Sequence, residues 1–111
     1  MKKYISLCPI ETTLNLIGNK WKFLIVRELL GGTKRFGELK RYIGQTKNQE
    51  ISQNVLTSNL RELEEAGLVS RVVYAQIPPK VEYSLTELGE SLSSVLDGMK
   101  SWGEAYKNNN A

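Results

Sequence analysis

Around Gly67 the chain changes from one kind of hydrophobic spacing to another, and this change restricts the possible folds more than any other feature. Before it, Leu56, Leu60 and Leu63 recur at i, i+4 and i+7, which lines one face of a helix. Ser52 offers a hydroxyl to the free N–H groups of the first turn, and Gly67 closes the helix after Ala66. Beyond it, Val69–Tyr74 and Val81–Leu85 are rich in β-branched and aromatic residues and read as two strands. The connecting Ala75-Gln76-Ile77-Pro78-Pro79-Lys80 contains two prolines, which cannot donate to a ladder and stiffen a hairpin tip.

The remaining segments are helical in pattern. Pro9 opens a short helix with Ile10, Leu14 and Ile17 on one side, stopped by Gly18. Lys20–Leu30 is almost wholly apolar and is predicted to be the most buried helix, ending at Gly31-Gly32. A third helix runs from about Arg35 to Ile43, with Phe36, Leu39 and Ile43 inward and Lys40 and Arg41 outward. Gly44–Glu50 is polar and reads as a loop. Thr86 caps a long last helix to about Tyr106, and Lys107–Ala111 reads as a disordered polar tail. The expectation is one domain over residues 1–111, mainly α with a small β-hairpin, in the order α-α-α-α-β-β-α. A short helix, a turn, a helix with a polar outer face and a hairpin make a winged helix-turn-helix. Such a fold lays its second helix in the major groove of DNA and its wing on the adjacent backbone or minor groove.

Charge supports that reading by its distribution. The net charge is only +3, but residues 20–80 carry a surplus of five positive charges and residues 81–111 a deficit of three. On the Ser52–Ala66 helix, Gln53, Asn54, Thr57, Ser58 and Arg61 fall opposite the leucines. These amide, hydroxyl and guanidinium groups suit adenine, phosphate and guanine respectively. Ser52 at the helix start belongs with them, and Lys34, Arg35, Lys40, Arg71 and Lys80 are candidate phosphate contacts that position without specifying. Glu62, Glu64 and Glu65 lie further along the same helix, read as a solvated charge pattern. The competing reading is a winged-helix module for protein–protein contact without a specific DNA site. A docking wing would expose apolar residues at its tip, whereas this one is read as lysine-tipped.

Several classes are excluded by composition. There is no histidine, no cysteine pair, no P-loop and no G-x-G-x-x-G, so neither an enzyme, a metal site nor a cofactor is expected. No apolar run approaches the roughly 18 residues of a membrane span, and no h-region follows the basic start. A lone cysteine makes the reducing cytosol the expected compartment. The last helix places Leu88, Leu92, Val95, Leu96, Met99, Trp102 and Tyr106 at helical spacing. These can pack inside one chain, or pair with the Ile10, Leu14 and Ile17 face across a two-fold axis. A homodimer matches a paired, pseudo-palindromic operator in double-stranded DNA.

Three stretches of sequence carry a family resemblance. They are Cys8-Pro9-Ile10-Glu11 with Ile17-Gly18-Asn19-Lys20-Trp21; Arg35–Lys40 with Leu56-Thr57 and Leu60–Val69; and Pro78–Thr86 with Gly89. Together they resemble the HxlR family of bacterial winged helix-turn-helix regulators, relatives of the MarR type. The resemblance implies a homodimer built from the first and last helices, a recognition helix at Ser52–Ala66, a wing at Tyr74–Tyr83, and transcriptional repression or activation. One departure is that Gly44–Glu50 is about four residues longer than the family pattern, so the turn is a loop or an extension of either helix. Lys47 on this insertion is a phosphate contact or a solvated lysine. The resemblance also makes Cys8 a candidate redox or electrophile sensor. Proximity to a helix start favours its thiolate, while an apolar dimer interface disfavours it. A structural thiol is the alternative.

Overall fold

The computed structural model describes residues 2–110. After a 3₁₀ turn at Lys2–Tyr4 come helices α1 (Pro9–Ile17) and α2 (Lys22–Leu30), strand β1 (Lys34–Arg35), and helices α3 (Phe36–Lys47) and α4 (Gln53–Glu65). Strands β2 (Val69–Tyr74) and β3 (Lys80–Leu85) follow, then α5 (Glu87–Glu90) and α6 (Ser93–Asn110). No helix among the described residues is long and apolar enough to cross a membrane.

The termini follow local chemistry. Helix α2 starts at Lys22 rather than Lys20, because the Asn19 side-chain oxygen accepts the N–H groups of Trp21 at 2.9 Å and Lys22 at 2.7 Å. The Ser52 hydroxyl accepts the Val55 N–H at 3.2 Å, as a cap should. At the far end of α4, Leu68 N–H reaches Leu63 O and Gly67 N–H reaches Glu64 O, each at 3.0 Å. This Schellman closure needs the left-handed backbone that Gly67 adopts at φ 80°.

Four sequence expectations are corrected. First, helix α3 does not stop at Ile43 but runs one turn further, which is the extension left open as the alternative to a loop, so that only Asn48–Ser52 separates it from α4. Packing explains the extension: the Thr46 hydroxyl donates to Tyr42 O and accepts from the Arg27 guanidinium, both at 3.0 Å. Lys47 lies over the Phe23 ring at 5.6 Å, so its charge faces α2 and not an exposed loop. Asn48 then ends the helix in the left-handed region at φ 51°. Second, Lys34-Arg35 is a strand, giving a three-stranded sheet in the order β1-β3-β2. Third, Thr86 caps only the four-residue α5. Its hydroxyl donates to Gly67 O at 2.6 Å and accepts from Gly89 N–H at 3.0 Å, pinning this turn to the start of β2 before the chain redirects into α6. Fourth, Lys107–Asn110 is helical rather than a disordered tail; Ala111 lies outside the described residues.

The core gathers Ile25, Leu39, Ile43, Ile51, Leu56, Leu60 and Leu63, all essentially without solvent contact. Ile17 belongs to it at 3% exposed, which removes it from any surface available to a second copy. Helix α6 has no buried residue, and the radius of gyration is 15.0 Å. A compact chain of this length would measure about 13 Å, so α6 projects from the body.

Gly89 is the tightest point of this framework. A Cβ there would sit 2.1 Å from Leu68 O. Gly89→Ala is therefore expected to destabilise the fold by about 2 kcal/mol or more in urea unfolding. Gly37→Ala, where the added carbon meets nothing within 4 Å, should be neutral or stabilising by up to about 1 kcal/mol.

Candidate nucleic-acid interface

The outward face of α4 is set by what lies behind it. Leu56, Leu60 and Leu63 enter the core, but two polar contacts fix the rotation of the helix. Asn59, itself buried, accepts from Asn19 Nδ2 at 2.8 Å and donates to Val55 O at 2.8 Å. One turn on, Glu62 accepts from the Lys22 ammonium, whose side chain is only 7% exposed. A lysine is rarely that buried without a partner. Lys22 holds the Glu62 carboxyl below its usual range, chiefly through this hydrogen bond.

With α4 held this way, Gln53, Asn54, Ser58 and Arg61 are exposed and Thr57 is half-buried. Thr57, Arg61 and Glu64 meet Arg71 of β2 and Tyr83 of β3 in a recess of about 250 Å³, so Glu64 shares this recess with the two arginines rather than lying beyond it in solvent. Arg71 and Lys34 are both directly opposite Tyr83, on its two flanking strands, so their side chains share one face of the sheet. Arg35 lies on the other face, opposite Glu82. Lys40 stands apart from the Arg61 recess, with Arg41 in an open groove beside the α3–α4 turn.

The wing differs from the sequence expectation. Lys80 opens β3 opposite Tyr74 and does not cap the tip. Its ammonium is 3.3 Å from the Glu82 carboxylate and lies over the Tyr74 ring at 4.9 Å. The Tyr74 hydroxyl and Lys80 together lower the Glu82 pKa. The tip itself, Ala75–Pro79, carries no charge, and Ile77 there is wholly exposed. The sequence reading missed Asn19, Lys22, Asn59 and Glu62. Their shared three-residue spacing on α4 and at the start of α2 was the available signal.

Of the apolar residues assigned to an interface between chains, Ile10, Leu14, Leu88, Val95, Met99, Trp102 and Tyr106 are exposed, and Trp102 stacks on Tyr106 at 5.4 Å. Leu92 is half-buried against the core. Cys8 is exposed immediately before α1, and its side chain makes no capping bond.

This arrangement defines a winged helix-turn-helix protein of the type that regulates transcription. The family model described as HxlR-like helix-turn-helix matches residues 16–111, and the chain belongs to that family. It is 51% identical over 100 residues to the uncharacterized HTH-type transcriptional regulator YdeP of Bacillus subtilis, covering 90% of this chain and 74% of that protein. Among solved structures it is similar to the putative HTH-type regulator ytcD, with TM-score 0.82 and 47% identity over 94% of this chain and 99% of that one. It is equally similar to the redox regulator HypR in its reduced form, with TM-score 0.82 and 47% identity over 90% and 94% of the two chains.

The Lys22–Glu62 pair carries a pH signature. A depressed carboxyl pKa contributes stability that is complete above the unfolded value near 4.5 and is lost as pH falls through the folded value. Glu62→Gln should therefore cost about 2 kcal/mol in urea unfolding at pH 7. That is less than for a wholly buried pair, because the Glu62 side chain is 41% exposed. The gap from wild type should close as pH drops below 4.5.

Proposed function

We propose that this protein binds a specific double-stranded DNA site as a homodimer, with α4 in the major groove. The observation that carries this reading is the outer face of α4, where Gln53, Asn54, Ser58 and Arg61 project from a helix whose rotation is held by Asn59 and Glu62. Buried polar contacts of this kind give the reading groups one orientation, which base-edge recognition requires. Arg71, which lines the recess with Arg61, is the phosphate contact best placed beside that face, with Ser52 at the helix start and Lys34 and Lys40 further off.

The dimer is built from α1 and α6. Ile10 and Leu14 on one, with Val95, Met99, Trp102 and Tyr106 on the other, leave apolar surface that a single chain does not cover. A two-fold pair would present two α4 helices to a pseudo-palindromic operator. Trp102→Glu is expected to shift sedimentation toward the monomer and to lower affinity for a paired site more than for one half-site.

Arg61→Ala should weaken binding to the cognate duplex by about 1–3 kcal/mol and relax its preference at one base pair. Lys80→Ala should leave the salt slope unchanged, because that ammonium is already paired with Glu82. Both are read by fluorescence anisotropy on DNA upstream of the protein's own gene against a scrambled duplex at two salt concentrations. Equal, weak binding to the two duplexes would overturn the reading. A second reading, a wing that docks a protein, is favoured by the uncharged tip with Ile77 wholly exposed, and that outcome would select it.

Redox control is the finer part of the proposal. HypR is a redox regulator by name, and Cys8 is exposed here. With one cysteine per chain no disulfide can form within a subunit, so an oxidant would join two subunits, link Cys8 to a small thiol or take it to the sulfenic acid, and an electrophile would add to Cys8 itself. Oxidant should change DNA binding in wild type and not in Cys8→Ser; an equal response in both would remove Cys8 from the mechanism.

A further inference from the structure

An open groove of about 650 Å³ runs along α3 and ends at the turn that leads into α4. Gly37, Lys40, Arg41, Gly44, Gln45 and Asn48 form its helical wall, at the i, i+3, i+4, i+7, i+8, i+11 spacing of one helix face. Gln49, Glu50 and Ile51 of the turn form the other wall. Much of this surface comes from Gly44–Glu50, the stretch by which the chain exceeds the family pattern. That stretch is held in place by the residues that turn inward. Thr46 accepts from Arg27 at 3.0 Å, Lys47 lies over the Phe23 ring, and Gln49 N–H donates to Gly44 O at 3.2 Å. Gln45, Asn48 and Gln49 are left exposed along the groove. Among the described residues neither Lys40 nor Arg41 has an ion-pair partner, and the Arg41 guanidinium lies over the Tyr42 ring at 5.2 Å.

These groups specify a ligand chemistry. Two cations on one wall call for an anion, and the amides beside them supply N–H groups that phosphate oxygens accept. A small solute needs a pocket that surrounds it, whereas a groove open along its length suits a strand that passes through. Position then selects the strand. The groove ends at Ile51, and the next residue, Ser52, caps α4, so the surface continues directly to Gln53 and Asn54 at the reading end of that helix. In a helix-turn-helix the first helix crosses the DNA backbone while the second enters the major groove. We propose that this groove takes the sugar–phosphate backbone bordering the major groove that α4 reads. Lys40 and Arg41 face the phosphates, and Gln45, Asn48 and Gln49 hydrogen-bond to their oxygens. Glu50, on the opposite wall, repels phosphate and sets the strand against α3. The longer α3–α4 connection thereby enlarges the DNA footprint, adding affinity without base preference. This inference rests on the DNA-binding reading and adds to it a contact from the longer connection.

The test measures binding of the full chain to the upstream and scrambled duplexes across a salt series. It is repeated with a single neutral methylphosphonate moved through the upstream duplex. Arg41→Ala should lower the salt slope by about 1 on both duplexes and keep the ratio of the two affinities. Gln45→Glu should weaken both several-fold, and Glu50→Gln should tighten both. All three side chains are exposed, so the fold does not depend on them. At one or two positions the methylphosphonate should weaken wild type and leave Arg41→Ala unaffected. A slope that falls without such a position would make Arg41 a long-range charge only and overturn the inference. An unchanged slope in Arg41→Ala would overturn it too, while wild-type preference for the upstream duplex would keep the regulator reading. Conversely, equal wild-type binding to both duplexes with the slope change present would sink the specific-site reading and leave the groove contact standing. Saturable amide NMR shifts at Gln45 and Asn48 with inorganic phosphate, alongside unaltered DNA binding by Arg41→Ala, would assign the groove to a free anion and overturn the inference.

Discussion

The structure depends on the two polar contacts that tie α2 to α4, Asn19 with Asn59 and Lys22 with Glu62. Hydrophobic burial pulls Leu56, Leu60 and Leu63 into the core, but burial has no direction and tolerates some rotation of the helix about its axis. Hydrogen bonds to buried groups do have direction, and breaking one leaves a polar atom or a charge without water. Asn19 strengthens the effect because the same side chain accepts the first N–H groups of α2. One residue therefore starts one helix and orients another.

Around this pair the rest of the reading unit is assembled by short-range geometry. The Schellman closure at Gly67 turns the chain directly from α4 into β2, so the start of the wing follows the end of the helix rigidly. The Thr86 hydroxyl on Gly67 O and the close approach of Gly89 to Leu68 O lock the return strand to the same place. Strand β1 adds a third edge and carries Lys34 to the face shared with Arg71. The wing itself keeps its charge internal, with Lys80, Glu82 and Tyr74 satisfying one another below an apolar tip.

Legibility in the sequence followed the strength of the local signal. The Ser52 cap, the leucine register of α4, the Gly67 stop and the two strands were all readable, because each depends on a few neighbouring residues. Strand β1 was not, since a two-residue strand of Lys and Arg has no propensity signal and exists only because β3 lies beside it. The extra turn of α3 was legible only as one of two alternatives: Gly44-Gln45-Thr46-Lys47 reads as a loop or as an extension of a helix until Arg27 and Phe23 are placed next to it. Ile17 shows the same limit within one helix, for it shares a stripe with Ile10 and Leu14 yet alone reaches the core.

What the sequence determined by itself was the class of fold, the boundaries of α4 and the residue types on its outer face. Periodicity, caps and turn residues act over one or two helical turns, and they survive without knowledge of distant contacts. Only the tertiary structure decided that Glu62 faces inward to a buried lysine, that Lys80 pairs with Glu82, and that Tyr4 keeps a buried hydroxyl without a partner among the described residues. Lys22 and Glu62 are separated by 40 residues, and Tyr4 meets Leu68 and Leu92 from still farther along the chain. Pairings at that range are set by how whole elements pack, because a charged or polar residue bears no local mark of whether water or a partner will face it.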